Sequence, residues 1–141
     1  MQARQSIHLV LRFTVFALAM SVGAGEVSAA QPDAYQGAWV TDMNTCSKVF
    51  TTKNGKVTFA KHLGDALPGI IIEGKRIHGA TASCSVASSK QNGDATTFLL
   101  NCQSQIMFGT MTVTVRMKDP DTLVRIDPDF AEVETTYHRC K

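Results

Sequence analysis

Helical periodicity is what this chain of 141 residues most conspicuously lacks. After residue 30 no stretch offers three turns of apolar residues at a 3.6-residue period between breakers, which excludes a helical bundle. There is no Cys-x-x-Cys and no close His pair, so an ordinary zinc site is excluded. No glycine-rich phosphate loop occurs, and neither does Gly-x-Ser-x-Gly, His-Glu-x-x-His or another motif with a catalytic mechanism. We therefore expect no catalytic residues, metal or cofactor. An excess of one charge is missing as well. Of 14 Lys and Arg, Arg4 and Arg12 fall within the first thirty residues, and of 12 Asp and Glu only Glu26 does. Subtraction leaves 12 basic against 11 acidic residues. Near neutrality argues against nucleic acid, which needs a clustered positive face, and against electrostatic membrane attachment.

The amino terminus carries the sharpest pattern. Arg4 and Arg12 precede an apolar run from Phe13 to Val22, followed by the small residues Gly23-Ala24-Gly25 and Ser28-Ala29-Ala30. Basic, apolar and small-residue regions in this order are the layout of a secretory signal peptide, cleaved after Ala29 or Ala30. The apolar run is shorter than the ~20 residues that span a bilayer, and no Cys at the cleavage site offers a lipid anchor. Residues 1–30 are read as signal and residues 31–141 as one domain, periplasmic or secreted, with no membrane anchor after cleavage.

All four cysteines, Cys46, Cys84, Cys102 and Cys140, lie in that domain. An even number in a small exported domain reads as a disulfide framework. Turn signals follow at short intervals: Asn54-Gly55, Pro68-Gly69, Glu73-Gly74, Asn92-Gly93-Asp94, Asp119-Pro120-Asp121 and Asp127-Pro128-Asp129. Between them β-branched and aromatic runs predict strands over 37–41, 47–52, 56–60, 69–73, 75–80, 83–89, 96–103, 110–118, 123–126 and 133–139. Alternation is cleanest where Met111, Val113, Val115 and Met117 interleave with Thr112, Thr114 and Arg116. A short helical turn is expected around Lys61–Leu67.

The fold class is all-β: a small antiparallel up-and-down barrel of about eight strands, closed by two disulfides. Closure removes exposed edges and makes the first and last strands neighbours, so Arg139 is expected across the indole of Trp39, the only Trp. A three-residue loop centred on Gly93 sets Cys84 opposite Cys102, which leaves Cys46 to join Cys140. Cys140 shares strand parity with Glu132 and Glu134, so the second bridge is expected outside the barrel or beyond the strand's end.

Gly37-x-Trp39 with Arg139 near the end resembles the lipocalin-like (calycin) barrels in general plan. Tyr35-Gln-Gly-Ala-Trp39 followed by Cys46 resembles the opening of the periplasmic alkaline protease inhibitor family. Cys46-Ser-Lys-Val-Phe50, Ile70-Ile-Ile-Glu-Gly74 and Thr136-Tyr-His-Arg-Cys140 resemble a group of small exported alphaproteobacterial proteins without an assigned activity. The first resemblance implies a small barrel and the second a protein-binding inhibitor, while the third brings no function with it.

Two functional readings follow. In the first, the chain is a non-enzymatic binding protein for a partner protein, as an inhibitor of a protease or lysozyme, using the tail Gln31–Gln36 or loops such as Lys61–Gly69. In the second it carries a small apolar ligand against Phe98, Leu100, Met111, Val113 and Val115. His62, His78 and His138 are the residues on which an enzyme reading would depend, and none sits in a catalytic pattern. Asp119, Asp121, Asp127 and Asp129 read as turn formers rather than calcium ligands. The consecutive apolar residues Leu67-Pro-Gly-Ile-Ile-Ile72 and Ile106-Met-Phe108 cannot all face one interior, so each run packs under a loop or forms a rim.

Overall fold

The computed structural model describes residues 33–61 and 69–141. The signal segment, tail residues 31 and 32, His62 and the expected helical turn after Lys61 lie outside the described residues. Ten strands form: β1 (Gly37–Val40), β2 (Phe50–Lys53), β3 (Lys56–Phe59), β4 (Gly69–Glu73), β5 (Arg76–Gly79), β6 (Ala82–Asn92), β7 (Ala95–Ser104), β8 (Phe108–Asp119), β9 (Thr122–Ile126) and β10 (Glu134–Cys140). Eight of them close into an antiparallel barrel in the order β1-β10-β9-β8-β7-β6-β5-β4, while β2 and β3 make a separate hairpin. Closure runs through β1, where Trp39 stands opposite Arg139 on one side and opposite Ile70 on the other.

Two apolar clusters follow from strand alternation. The interior one contains Tyr35, Trp39, Ile72, Val86, Phe98, Leu100, Val115 and Leu123, with Ile70, Ile77, Val113, Met117 and Tyr137 packed against it. An eight-stranded barrel is just wide enough for such side chains to fill. The second cluster lies on the opposite face of β1, where Ala38 and Val40 meet Val49 and Phe50, with Val57, Phe59 and Ile71 around them. Among the consecutive isoleucines, Ile70 and Ile72 thus serve the interior while Ile71 serves the outer cluster.

The Trp39 end is sealed by the segment before β1. Tyr35 is buried, meets Phe98 edge to face at 5.7 Å and hydrogen-bonds the hydroxyl of Thr96 at 3.0 Å. The Trp39 indole N–H donates to the Tyr35 carbonyl at 2.9 Å. The guanidinium of Arg139 lies 4.1 Å from the Trp39 ring centroid and donates to the carbonyls of Ala34, Gln36 and Pro120. Gly37, at φ 129°, is required here: a Cβ would stand 2.7 Å from Nη1 of Arg139.

Both expected disulfides are present, Cys46–Cys140 and Cys84–Cys102. The first joins the outer cluster and the second the inner one, in agreement with the parity of Cys140. The route to the second differs from expectation. The β6–β7 turn has two residues, Gly93 and Asp94, since Asn92 pairs with Ala95; Gly93 has φ 64°, as the first central position of a type II′ turn requires. Uninterrupted, this register would set Cys84 against Gln103. A bulge at Ala87, between Val86 and Ser88, corrects it by one residue and brings Cys84 opposite Cys102.

The strand expected over 47–52 is also corrected. Residues Cys46–Val49 form one helical turn, and the strand starts only at Phe50. Upstream, the Asp42 carboxylate accepts from the Asn44 amide at 3.0 Å, and the Thr45 hydroxyl donates to the Asp42 carbonyl at 2.6 Å. These local bonds favour a turn over a ladder.

Candidate binding face

β8 extends well past β9 at the barrel end opposite Tyr35, while β6 accompanies β7 as far as the Ala82–Ser104 pair. β7 and β8 pair from Ala95–Arg116 to Gln103–Phe108, whereas β9 joins β8 only from Thr114 onward, opposite Ile126. The overhang ends in a tight turn organised by Ser104. Its amide donates to the Met107 carbonyl at 2.8 Å, and its hydroxyl accepts from the amides of Ile106 and Met107 at 3.4 and 3.3 Å. With the backbone satisfied in this way, the apolar side chains of the turn are turned out. Ile106 is 91% exposed, Met107 71% and Phe108 91%. No charged residue occurs between Asp94 and Arg116, so this lip is both apolar and uncharged.

Beside the lip, on the outer face, lies a groove of about 770 Å³. Strand register builds it as two rows across four strands. One row runs His78, Ser83, Gln103, Phe108, and the other runs Arg76, Ser85, Asn101, Thr110. The rows supply hydroxyl and amide groups, one imidazole and one guanidinium, with no carboxylate lining the groove. Glu73, opposite Arg76 on β4, instead pairs with Lys56 at 3.5 Å. The groove therefore offers hydrogen bonds and positive charge next to an aromatic ring. No carboxylate lines the groove beside His78.

On the inner side of the same overhang, Ala82, Cys102, Met107, Gly109 and Met111 line an apolar recess of about 190 Å³. Small-molecule sites occupy roughly 300–1,000 Å³. Of the residues expected to line a ligand, Phe98, Leu100 and Val115 are buried in the packed interior and Val113 packs against it. Met111, 40% exposed, opens on this recess. Of the expected inhibitory tail, Asp33 and Ala34 are exposed, while Tyr35 and Gln36 are committed elsewhere. Tyr35 is buried, and the Gln36 side chain binds the Gly74 backbone, accepting from its amide at 2.7 Å.

His138 lies on the outer face of β10, away from the groove, and His78 is the histidine the fold brings into it. Asp119 and Asp127 act as turn formers: their carboxylates accept from the amides of Asp121 and Asp129 at 2.9 and 3.0 Å. Among the described residues no group of three or more His, Cys, Asp or Glu could hold a metal ion, and no helix is long and apolar enough to cross a membrane. The lip was visible in sequence as Ile106-Met-Phe108, but the groove was not. Its rows come from four strands, and their polar residues look like an ordinary wet face until register aligns them. No family model, curated protein or solved structure matches the chain.

Proposed function

We propose that this chain is an exported, non-enzymatic binding protein that docks a partner protein through the Ile106–Phe108 lip and the groove beside it. The carrying observation is the exposure of three consecutive large apolar side chains on a backbone whose own hydrogen bonds hold them outward. An apolar, aromatic centre with a polar rim and an arginine is the anatomy of protein interfaces. Its charge suits a partner that presents carboxylates or carbonyls to Arg76. Export is supported by the N-terminal pattern and by two disulfides, which persist in oxidising compartments.

The resemblance of Tyr35–Trp39 to the protease-inhibitor barrels favours inhibition of a protease or lysozyme as the form this binding takes. The small recess makes an apolar-ligand carrier the weaker reading. Titration of the oxidised protein into purified metalloproteases and lysozymes tests the proposal. Stoichiometric inhibition of at least one enzyme is expected. Phe108→Ser should weaken it by about 2 kcal/mol or more, roughly thirtyfold, as for an aromatic anchor. No inhibition across the panel defeats the inhibitor reading. Inhibition that survives Phe108→Ser and Ile106→Ser together places the docking surface elsewhere.

A further inference from the structure

Among the described residues, nothing pairs with the backbone edge that the overhang leaves. Ser104 and Met107 close the β7–β8 turn by a backbone bond, so in an alternating antiparallel ladder the odd-numbered residues of β8 bond toward β7. Thr114 fits this phase: its hydroxyl meets that of Thr97 at 3.0 Å across a non-bonded pair, and β9 begins its ladder opposite it. Phe108, Thr110 and Thr112 therefore aim their N–H and C=O groups at open space, and all three are exposed.

Two other free edges among the described residues are guarded by charge. β6 continues past its last bond to β5, at Val86, through a segment that carries Lys90, and the β2–β3 hairpin carries Lys53 and Lys56. Lysine on an edge discourages pairing with another chain. The β8 edge has no lysine, no proline and no charge of any kind.

We propose that two copies of this chain pair edge to edge through Phe108–Thr112, antiparallel about a twofold axis at Thr110. Only residues with outward backbone groups can form the bonded pairs, and this restricts the register. Phe108 pairs with the second copy's Thr112, Thr110 with the second copy's Thr110, and Thr112 with the second copy's Phe108. The free segment between the turn and the first β8 residue paired with β9, Thr114, is centred on Thr110, so the axis uses all of it. The intervening pairs set Gly109 opposite the second copy's Met111, where the missing side chain makes room for the thioether. Threonine opposite threonine is a favourable cross-strand pair. A twofold axis would juxtapose like charges, and this edge has none to juxtapose. The axis stands perpendicular to the joined sheet, so both grooves face the same side and remain open to a partner.

Sedimentation velocity and hydrogen exchange on the oxidised protein test this. A species of twice the monomer mass is expected. The Phe108, Thr110 and Thr112 amides should exchange slowly at high concentration and rapidly on dilution, while those of Gly109 and Met111, bonded to β7, stay slow in both. Thr110→Pro removes an outward N–H without taking a ladder bond from β7, and Thr110→Lys sets two ammonium groups at the axis. Both should give monomers with two disulfides intact. A monomer up to the solubility limit overturns the proposal, as does a dimer that persists in Thr110→Lys. A dimer whose outward amides exchange as fast as in the monomer overturns it too. Where a variant fails to form both disulfides, the exchange pattern of the unaltered protein decides. None of these readouts depends on inhibition, so this interface and the partner-docking proposal fail separately.

Discussion

At the scale of the residue, Arg139 carries the most connections. It covers the Trp39 ring and satisfies carbonyls from the N-terminal turn and the β8–β9 turn. Arg139→Met keeps the apolar stem and removes the donors. It should cost about 2–3 kcal/mol in denaturant unfolding, the scale of lost charge-assisted hydrogen bonds plus a cation–π contact. Its pairing with Trp39 was legible in sequence because barrel closure makes the two ends neighbours. Its role as a cap for three carbonyls was not, since those belong to loops whose path only the fold determines. A second residue-scale expectation concerns Asp119. The Thr122 hydroxyl, then the Asp121 amide, hold its carboxyl below the ordinary value of 3.8. A folded pKa lowered in this way stabilises the protein above the ordinary aspartate range, and the effect is lost as pH falls through the folded pKa. Carboxyl chemical shifts should titrate with a midpoint below 3.8, and Thr122→Val should move it upward.

At the scale of the element, the β6–β7 hairpin shows how a correct pairing can rest on compensating details. Placing Cys84 opposite Cys102 needed only a loop centred near Gly93, and sequence supplied that. The shorter turn and the bulge at Ala87 offset each other, and neither leaves a separate signal: Ala87 is one small residue in an otherwise alternating strand. Deleting Ala87 removes the extra residue and keeps Val86 opposite Leu100, so both disulfides should still form. Deleting Ser85 moves Cys84 opposite Asn101, where its side chain points to the wrong face. Thiol titration and mass without reduction should show two disulfides in the first variant and a lost or mispaired one in the second. The β2–β3 hairpin was legible from Asn54-Gly55, whose two residues both take positive φ. The helical turn before it was hidden because Cys46–Val49 also reads as the start of a strand.

At the scale of the whole molecule, two disulfides of different span hold one barrel. Cys46–Cys140 links positions 94 apart in sequence and Cys84–Cys102 positions 18 apart. The loop-entropy model gives the longer about 1.5 kcal/mol more stabilisation. Urea unfolding should therefore show the larger loss for the Cys46→Ala/Cys140→Ala double variant than for the Cys84→Ala/Cys102→Ala one. The barrel and its closure could be read from turn spacing and from the two chain ends. The face proposed for binding could not, because it exists only where four strands come into register beside an overhang.

The two disulfides are nested, one inside the span of the other, and this sets a problem of timing. In a chain that enters an oxidising compartment amino terminus first, Cys46 arrives, then Cys84, and Cys140 comes last. β1 waits equally long, since one of its two neighbours is the final strand. An oxidant that joins thiols as they appear would bond Cys46 to Cys84 and strand Cys102 with Cys140. The native pattern then requires either patience or repair: thiols kept open until the last strand arrives, or an isomerase that reshuffles the early bonds. The topology of the barrel thus makes the native pairing depend on the order in which thiols are joined, and not on their nearness in sequence.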